Sequence, residues 1–347
     1  FFQAEDGIRD RRPSRGLGDV YKRQGVMARI QTVLGPITPE NLGVCLPHEH
    51  IWCDQNLGPR LSLMGTLRDS AKFMKLNNFE FMVDELKAYK AAGGGAIVEV
   101  TCDGWGRDLD ILARLSSASE VHIVATSGFY IEPHIPYFLD SMSVEKLADH
   151  ISAEIEDQAS AMGRRCGLFK SAIHRARVED LELKVLQAVA IAQKRTGAAI
   201  TTHTTGSRRM EVPGGVAGVE QLRILKELGV SPTRFIVGHV DERPDIDVLS
   251  SLAKEGCYIQ FDVIGKEHYL LDTTRAELIH AMIRRGYLSN LMMSQDRNRG
   301  HEMRYSGNSG YCHIFETFLP KLRGLGVTTE QISTMMIENP ARALAIC

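Results

Sequence analysis

The chain has 347 residues, of which 44% are hydrophobic and 24% charged. That is the composition of a soluble globular protein with enough chain for a sizeable core. Its 41 Lys and Arg against 43 Asp and Glu give a net charge of −2, which excludes an electrostatic argument for nucleic acid or an anionic membrane as partner. No apolar run approaches the roughly 20 residues of a membrane-spanning helix, and moderate Gly, Pro and charge content excludes collagen, coiled coil and disordered polymer.

Residues 1–24 (FFQAEDGIRDRRPSRGLGDVYKRQ) hold six basic and four acidic residues interleaved with Gly and Pro. They show neither helical nor strand periodicity, and they lack the apolar segment of a signal peptide. The stretch is similar to the translated sequencing-adapter sequence that contaminates assembled environmental DNA; a native disordered tail is the alternative. We therefore expect a disordered, non-native tail over 1–26 and a single domain over 27–347. Taking those charges out of the 41 and 43 leaves 35 basic and 39 acidic residues, a net charge of −4.

From residue 44 onward, β-rich apolar runs alternate with helical patterns. The runs are 44–50 (VCLPHEH), 96–101 (AIVEVT), 122–128 (HIVATSG), 167–173 (GLFKSAI), 198–204 (AAITTHT), 234–240 (RFIVGHV), 258–264 (YIQFDVI) and 290–296 (NLMMSQD). Between them, apolar residues recur at helical spacing over 144–162, 179–195, 217–228, 245–255 and 273–285. Gly197, Gly229, Gly256 and Gly286 stand where helix C-termini need them. Eight strands, each followed by helix, predict a (β/α)8 barrel. The competing doubly wound sheet often carries a phosphate loop after its first strand; here that strand ends in His-Glu-His. Gly93-Gly94-Gly95 precedes a strand, as a helix cap and turn would. The connections 51–78 and 297–312 are the longest and would overhang the barrel mouth.

The C-terminal strand ends of a barrel form its active face. The first strand offers His48 and His50, which share one face by their i, i+2 spacing, with Glu49 on the other. The fourth offers Lys170, the fifth His203, the sixth His239 and the eighth Asp296. Singly, each reads as a hydrogen-bonded core residue or a loop anchor. Together, four His, one Lys and one Asp at one end would be costly to bury without compensation, which metal ions supply. His122 opens a strand at the opposite end, His150 and His280 fall on helices, and His134, His174, His268, His301 and His313 read as loop residues. Seven widely spaced cysteines, odd in number and without a CxxC pair, predict free thiols and a cytoplasmic protein. Cys45, three residues from His48, falls out of phase with it.

The ordered set of motifs resembles the phosphotriesterase family of the amidohydrolase superfamily. It runs from Val33-Leu34-Gly35-Pro36 and His48-Glu49-His50 through Gly106-Arg107-Asp108 and Gly167-Leu168-Phe169-Lys170. It continues through Thr202-His203-Thr204, Gly238-His239 and Ser294-Gln295-Asp296 to Glu338-Asn339-Pro340-Ala341-Arg342. The resemblance implies a TIM barrel with a binuclear metal centre, zinc first, with cobalt, manganese or iron as alternatives. By motif position, His48, His50 and Asp296 would hold one ion and His203 and His239 the other. Lys170, carbamylated by CO2, would bridge both. A metal-bridging hydroxide would attack the substrate, with Asp296 orienting it and taking its proton.

The implied activity is hydrolysis of a lactone or carboxylic ester, with promiscuous phosphotriesterase activity. The alternatives are amide hydrolysis of N-acylated small molecules and an organophosphate triesterase proper. Tyr130 matches the position where lactonase-like members place an active-site Tyr, whereas Val263 stands where they carry Arg. Lys266 and Arg297, with His268, Arg299, His301 and Arg304, would make a basic mouth suited to an anionic substrate. The expected partner is therefore a small-molecule substrate, with no nucleic acid or membrane, and a homodimer is the oligomer the resemblance suggests.

Overall fold

Strands and helices alternate along the computed structural model, which describes residues 28–60, 74–131, 134–157, 160–173, 178, 180–204 and 215–347. The barrel strands are β1 (Val44–Glu49), β2 (Gly94–Glu99), β3 (His122–Gly128), β4 (Leu168–Ile173), β5 (Ile200–Thr204), β6 (Phe235–Val237), β7 (Tyr258–Phe261) and β8 (Leu291–Met293). They form one parallel eight-stranded sheet in sequential order. Helices α1 (Phe79–Ala91), α2 (Leu109–Ser119), α3 (Val144–Glu156), α4 (Asp180–Thr196), α5 (Val216–Glu227), α6 (Ile246–Glu255) and α7 (Asp272–Arg284) lie between successive strands. Shorter helices α8 (Leu319–Gly324), α9 (Thr329–Ser333) and α10 (Asn339–Leu344) follow β8. This is the expected (β/α)8 barrel.

Local sequence explains the boundaries. Asn78, Asp108, Ser143 and Asp245 each accept a backbone N–H from the first turn of α1, α2, α3 and α6, satisfying donors that a helix start leaves open. Gly256 ends α6 at φ 105°, a left-handed conformation that glycine adopts without a Cβ clash. The helix expected over 144–162 ends at Glu156. Several strands are shorter than their apolar runs, β6 and β8 the most, at three residues each. β6 stops at Val237 because His239 takes φ 53°, and β8 stops at Met293 because the chain bends toward β1 before Asp296, at φ 50°.

The floor of the barrel is small and apolar. Cys45, Ala96, Val98, Val124 and Leu168 pack with Ile30 and Leu42 below and with Ala341 and Leu344 of α10. Ala199, Ile236, Tyr258 and Met292 form the adjoining cluster. A register shift between Leu46 and Glu49 breaks strict alternation along β1, so Cys45 joins this inner cluster instead of falling out of phase with His48. Its thiol is pushed up by burial and by Glu49, which removes it as a nucleophile. All seven cysteines are free. The expected tail over 1–26 lies outside the described residues, as does 61–73 of the first long connection and His174. No helix among the described residues is long and apolar enough to cross a membrane.

Candidate metal centre

The mouth is assembled from strand ends whose side chains are fixed from behind. His48 sits with Nδ1 3.0 Å from Asp262 Oδ2, and His239 with Nδ1 2.8 Å from Asp262 Oδ1. One buried carboxylate just beyond β7 therefore faces both rings and leaves each Nε2 directed away from it. His50 Nδ1 lies 2.7 Å from the Thr101 hydroxyl, which donates to Glu99. The hydroxyl must then accept from Nδ1–H, leaving Nε2 as the basic nitrogen. Such partners behind a ring nitrogen are what orient metal-ligating histidines.

The free faces converge. His50 Nε2 is 3.3 Å and His48 Nε2 3.8 Å from Asp296 Oδ1. Ligand atoms of His48, His239 and Asp296 all lie within 4.8 Å of one another. The His203 and His239 rings meet edge-on with centroids 4.4 Å apart. Lys170 Nζ is buried 3.3 Å from His48 Nε2. All six residues expected to bind metal thus come together: His48, Lys170 and His203 on β1, β4 and β5, and His50, His239 and Asp296 just beyond the ends of β1, β6 and β8.

Two glycines make that approach feasible. A Cβ on Gly128 (φ 111°) would stand 2.2 Å from the Lys170 carbonyl oxygen, so only glycine lets β3 pass there. A Cβ on Gly238 would stand 2.6 Å from Asp262 Oδ2, which would force the orienting carboxylate away.

Burial dominates the electrostatics. It lowers His48 to about 3, with Lys170 adding to the effect, and lowers His50 to about 4. His203 is also driven well below its ordinary value by burial and His239. These rings are neutral at pH 7, the form that binds a cation. Burial opposes protonation of His239 as well, but Asp262 overrides it and lifts the ring to about 9. The Lys170 ammonium is lowered by burial, and among the described residues no carboxylate pairs with it. Asp296 resists the upward push of burial because Lys266, His50 and His239 hold it well below the usual carboxylate range. Three neutral imidazoles, a fourth at His239 that would give up its proton to a bound cation, an ionised carboxylate and a buried amine form a donor set that fits divalent metal.

The rim differs around its circumference. On one side an aromatic wall stands over the histidines. Trp105 packs on His50 with centroids 4.5 Å apart and stacks on Tyr130 at 4.7 Å and His134 at 5.5 Å. The Tyr130 hydroxyl lies 3.5 Å from His203 Nε2. On the other side Lys266 Nζ is 2.6 Å from Asp296 Oδ2, where Asn298 also donates, at 3.3 Å. Lys266 therefore lies at the centre itself and not at its edge.

Val263 is buried, its N–H directed to Asp241. Arg297 is buried too, with its guanidinium against Gly265. Arg304 departs from the expected basic mouth: it is half-exposed and faces Glu316 at 3.6 Å. His301 is exposed, and His313 pairs with Asp272 at 2.8 Å.

Sequence reasoning missed Asp262, Glu99, Thr101 and Trp105, and it assigned Glu49 to the opposite face without a task. The available signal was composition. Asp262, Glu49 and Glu99 are acidic residues inside apolar strand runs, and such residues are rarely buried without partners.

With this geometry in view, comparison with known proteins is specific. Residues 28–344 match the phosphotriesterase family, and the chain belongs to that family. Proteins of the family are binuclear metal hydrolases, and this chain is a hydrolase of the same family. The N-acetyltaurine hydrolase of Danio rerio is 30% identical, over 91% of this chain and 97% of its own. The crystal structure of the phosphotriesterase homology protein from Escherichia coli, complexed with phosphate in its active site, superposes with a TM-score of 0.79 at 29% identity. It covers 88% of this chain and 99% of its own. A lactonase from Listeria monocytogenes shares the fold with a TM-score of 0.82 at 24% identity, covering 91% and 98%.

Proposed function

We propose that this hydrolase cleaves an acyl derivative of a small anionic molecule at a binuclear metal centre. An N-acylated amine is the first reading. His48, His50 and Asp296 would hold one ion, and His203 and His239 the other, with zinc the leading metal. When bound, the ions would acidify a water molecule and polarise the acyl oxygen of the substrate. The observation that carries the reading is Lys170: a buried amine against His48 without a described counter-ion is stable only if it is neutral or modified. Its lowered basicity frees the amine to add CO2 and release a proton. The resulting carbamate is an anion that would bridge the two ions.

The remaining residues have definable tasks. Asp296, kept ionised, accepts the proton of the attacking water and passes it to the leaving amine. Trp105 and Tyr130 wall one side, which suits a short acyl group, and the Tyr130 hydroxyl beside His203 would orient its oxygen. Lys266, at 2.6 Å from Asp296, supplies positive charge for a carboxylate or sulfonate on the substrate. Similarity to an N-acetyltaurine hydrolase across nearly the whole chain supports amide cleavage. Tyr130, at the lactonase-like position and directed at His203, supports a lactone or ester as the second reading.

A substrate panel tests the choice on zinc-loaded protein: N-acetyltaurine, N-acyl amino acids, lactones, aryl esters and a paraoxon-type triester. The expected result is a kcat/KM at least about ten-fold higher for the N-acylated anions. Preferential turnover of lactones would move the assignment to the second reading. Turnover of none of them would overturn both.

A further inference from the structure

Every neighbouring pair of barrel strands shares a ladder except β1 and β8. Three of the proposed metal ligands, His48, His50 and Asp296, sit along this seam. The seam is closed by other means. Asp296 N–H donates to the His48 carbonyl at 3.1 Å, and His50 N–H to the Arg297 carbonyl at 3.1 Å. Ser294 Oγ accepts the His48 N–H at 3.0 Å and lies 2.9 Å from the His48 carbonyl. The remaining bonds converge on the fully buried carboxylate of Glu49. Oε1 accepts from the Ser294 hydroxyl and from Gln295 N–H, each at 2.7 Å, and Oε2 accepts from Arg297 N–H at 2.7 Å.

Those two N–H groups flank Asp296, which is held at φ 50°. A left-handed conformation is disfavoured for a residue with a Cβ, and it persists only where its surroundings over-determine it. Successive N–H groups around a left-handed residue make a concave anion-binding nest, and here the anion is a side chain from the neighbouring strand. The other half is held by different groups: the β5–β6 ladder runs as far as Thr202 and Val237, and His239, also left-handed at φ 53°, has its N–H held by Asp262 Oδ1 at 2.8 Å.

We propose that Glu49 is the positioning residue for the β1–β8 half of the centre: its carboxylate closes the barrel seam and fixes Asp296 in the conformation that turns its side chain toward His48 and His50. The inference rests on the proposed assignment of ligands to two metals. It separates the two halves of the centre, because loss of the nest disturbs Asp296 while His239 keeps its bonds to Asp262.

The test is zinc affinity, measured by chelator competition on full-length protein for wild type, Glu49→Leu, Glu49→Gln and Ser294→Ala, with melting temperatures recorded alongside. Wild type is expected to bind two equivalents. In Glu49→Leu one equivalent weakens by about ten- to a hundred-fold, the usual effect of losing a partner behind a metal ligand, while the other changes less than about three-fold. Glu49→Gln is isosteric and keeps one acceptor oxygen, so it recovers part of the loss and carries the test if the Leu variant does not fold. Ser294→Ala removes one donor to Glu49 but leaves both N–H groups on its carboxylate, so it weakens the same equivalent less than Glu49→Leu does. Equal weakening of both equivalents in the Gln variant, or unchanged affinity for both in the Leu variant, would overturn the positioning role. A wild type binding less than about one equivalent would instead defeat the metal reading beneath it.

Discussion

The floor and the mouth of this barrel are built from the same eight strands, a few residues apart, yet they are held by different forces. The floor is a cluster of small apolar side chains around Cys45, Val98, Leu168, Ile236 and Met292, stabilised by removal of surface from water. The mouth buries Glu49, Glu99, Lys170, Asp262, Lys266 and Asp296 and contains two of the proposed ligands, His239 and Asp296, in left-handed conformation. Apolar packing tolerates imprecision, because burial energy has no direction. The mouth has direction everywhere: Asp262 faces two histidines and Glu49 grips two N–H groups. Among the described residues, two of the three left-handed non-glycine positions, His239 and Asp296, stand at the mouth, where the surroundings hold them.

The largest effect that should separate the two ends is at Lys170. Lys170→Ala is expected to reduce kcat/KM by at least about a thousand-fold, while in metal-free protein its thermal stability stays close to that of wild type, because the amine it removes is buried against His48 with no carboxylate pairing it among the described residues. Added formate or propionate should restore part of the activity; full activity without them would refute the bridging role. At the floor, Leu168→Ala, two residues away on the same strand, should cost about 2–5 kcal/mol in denaturant unfolding with metal content unchanged. Metal loss from the folded variant would show that floor and mouth are not separable.

A smaller effect concerns substrate charge. Lys266→Met should raise KM for anionic substrates about ten-fold, or ~1.4 kcal/mol, more than for neutral esters. Arg304→Ala, directed outward toward Glu316, should change KM less than about two-fold. Equal effects at the two positions would contradict the placement of the anion beside Asp296.

The smallest is a pH effect on stability. Burial lowers His134 to about 4, whereas the unfolded chain takes a proton near 6.5. Its contribution is therefore complete above about pH 6.5 and is lost as the pH falls toward 4. Melting temperatures between pH 7 and 4.5 should fall less steeply in His134→Gln than in wild type.

Most of the architecture was legible in the sequence, because strand and helix periods differ and glycines mark the helix ends. The six proposed ligands were legible too, since metal-competent residues at strand ends stand out against apolar runs. The supporting carboxylates were not. Asp262 and Glu49 act through which atoms face them, and that depends on a register shift in β1 and on backbone turning left-handed at His239 and Asp296. Neither event follows from a two-residue alternation rule. Two of the basic loop residues lie apart from the centre for a related reason: past Gly300 the loop turns repeatedly, leaving His301 exposed and Arg304 facing Glu316.

The central claim is a pair of metal ions joined through a modified Lys170. Anomalous diffraction from crystals of zinc-loaded protein, grown with bicarbonate, tests it most directly. The account predicts two anomalous peaks, one beside His48, His50 and Asp296 and one beside His203 and His239, with carbamate density extending from Lys170 Nζ toward both. A single peak or none, with a bare amine at Lys170, would contradict it.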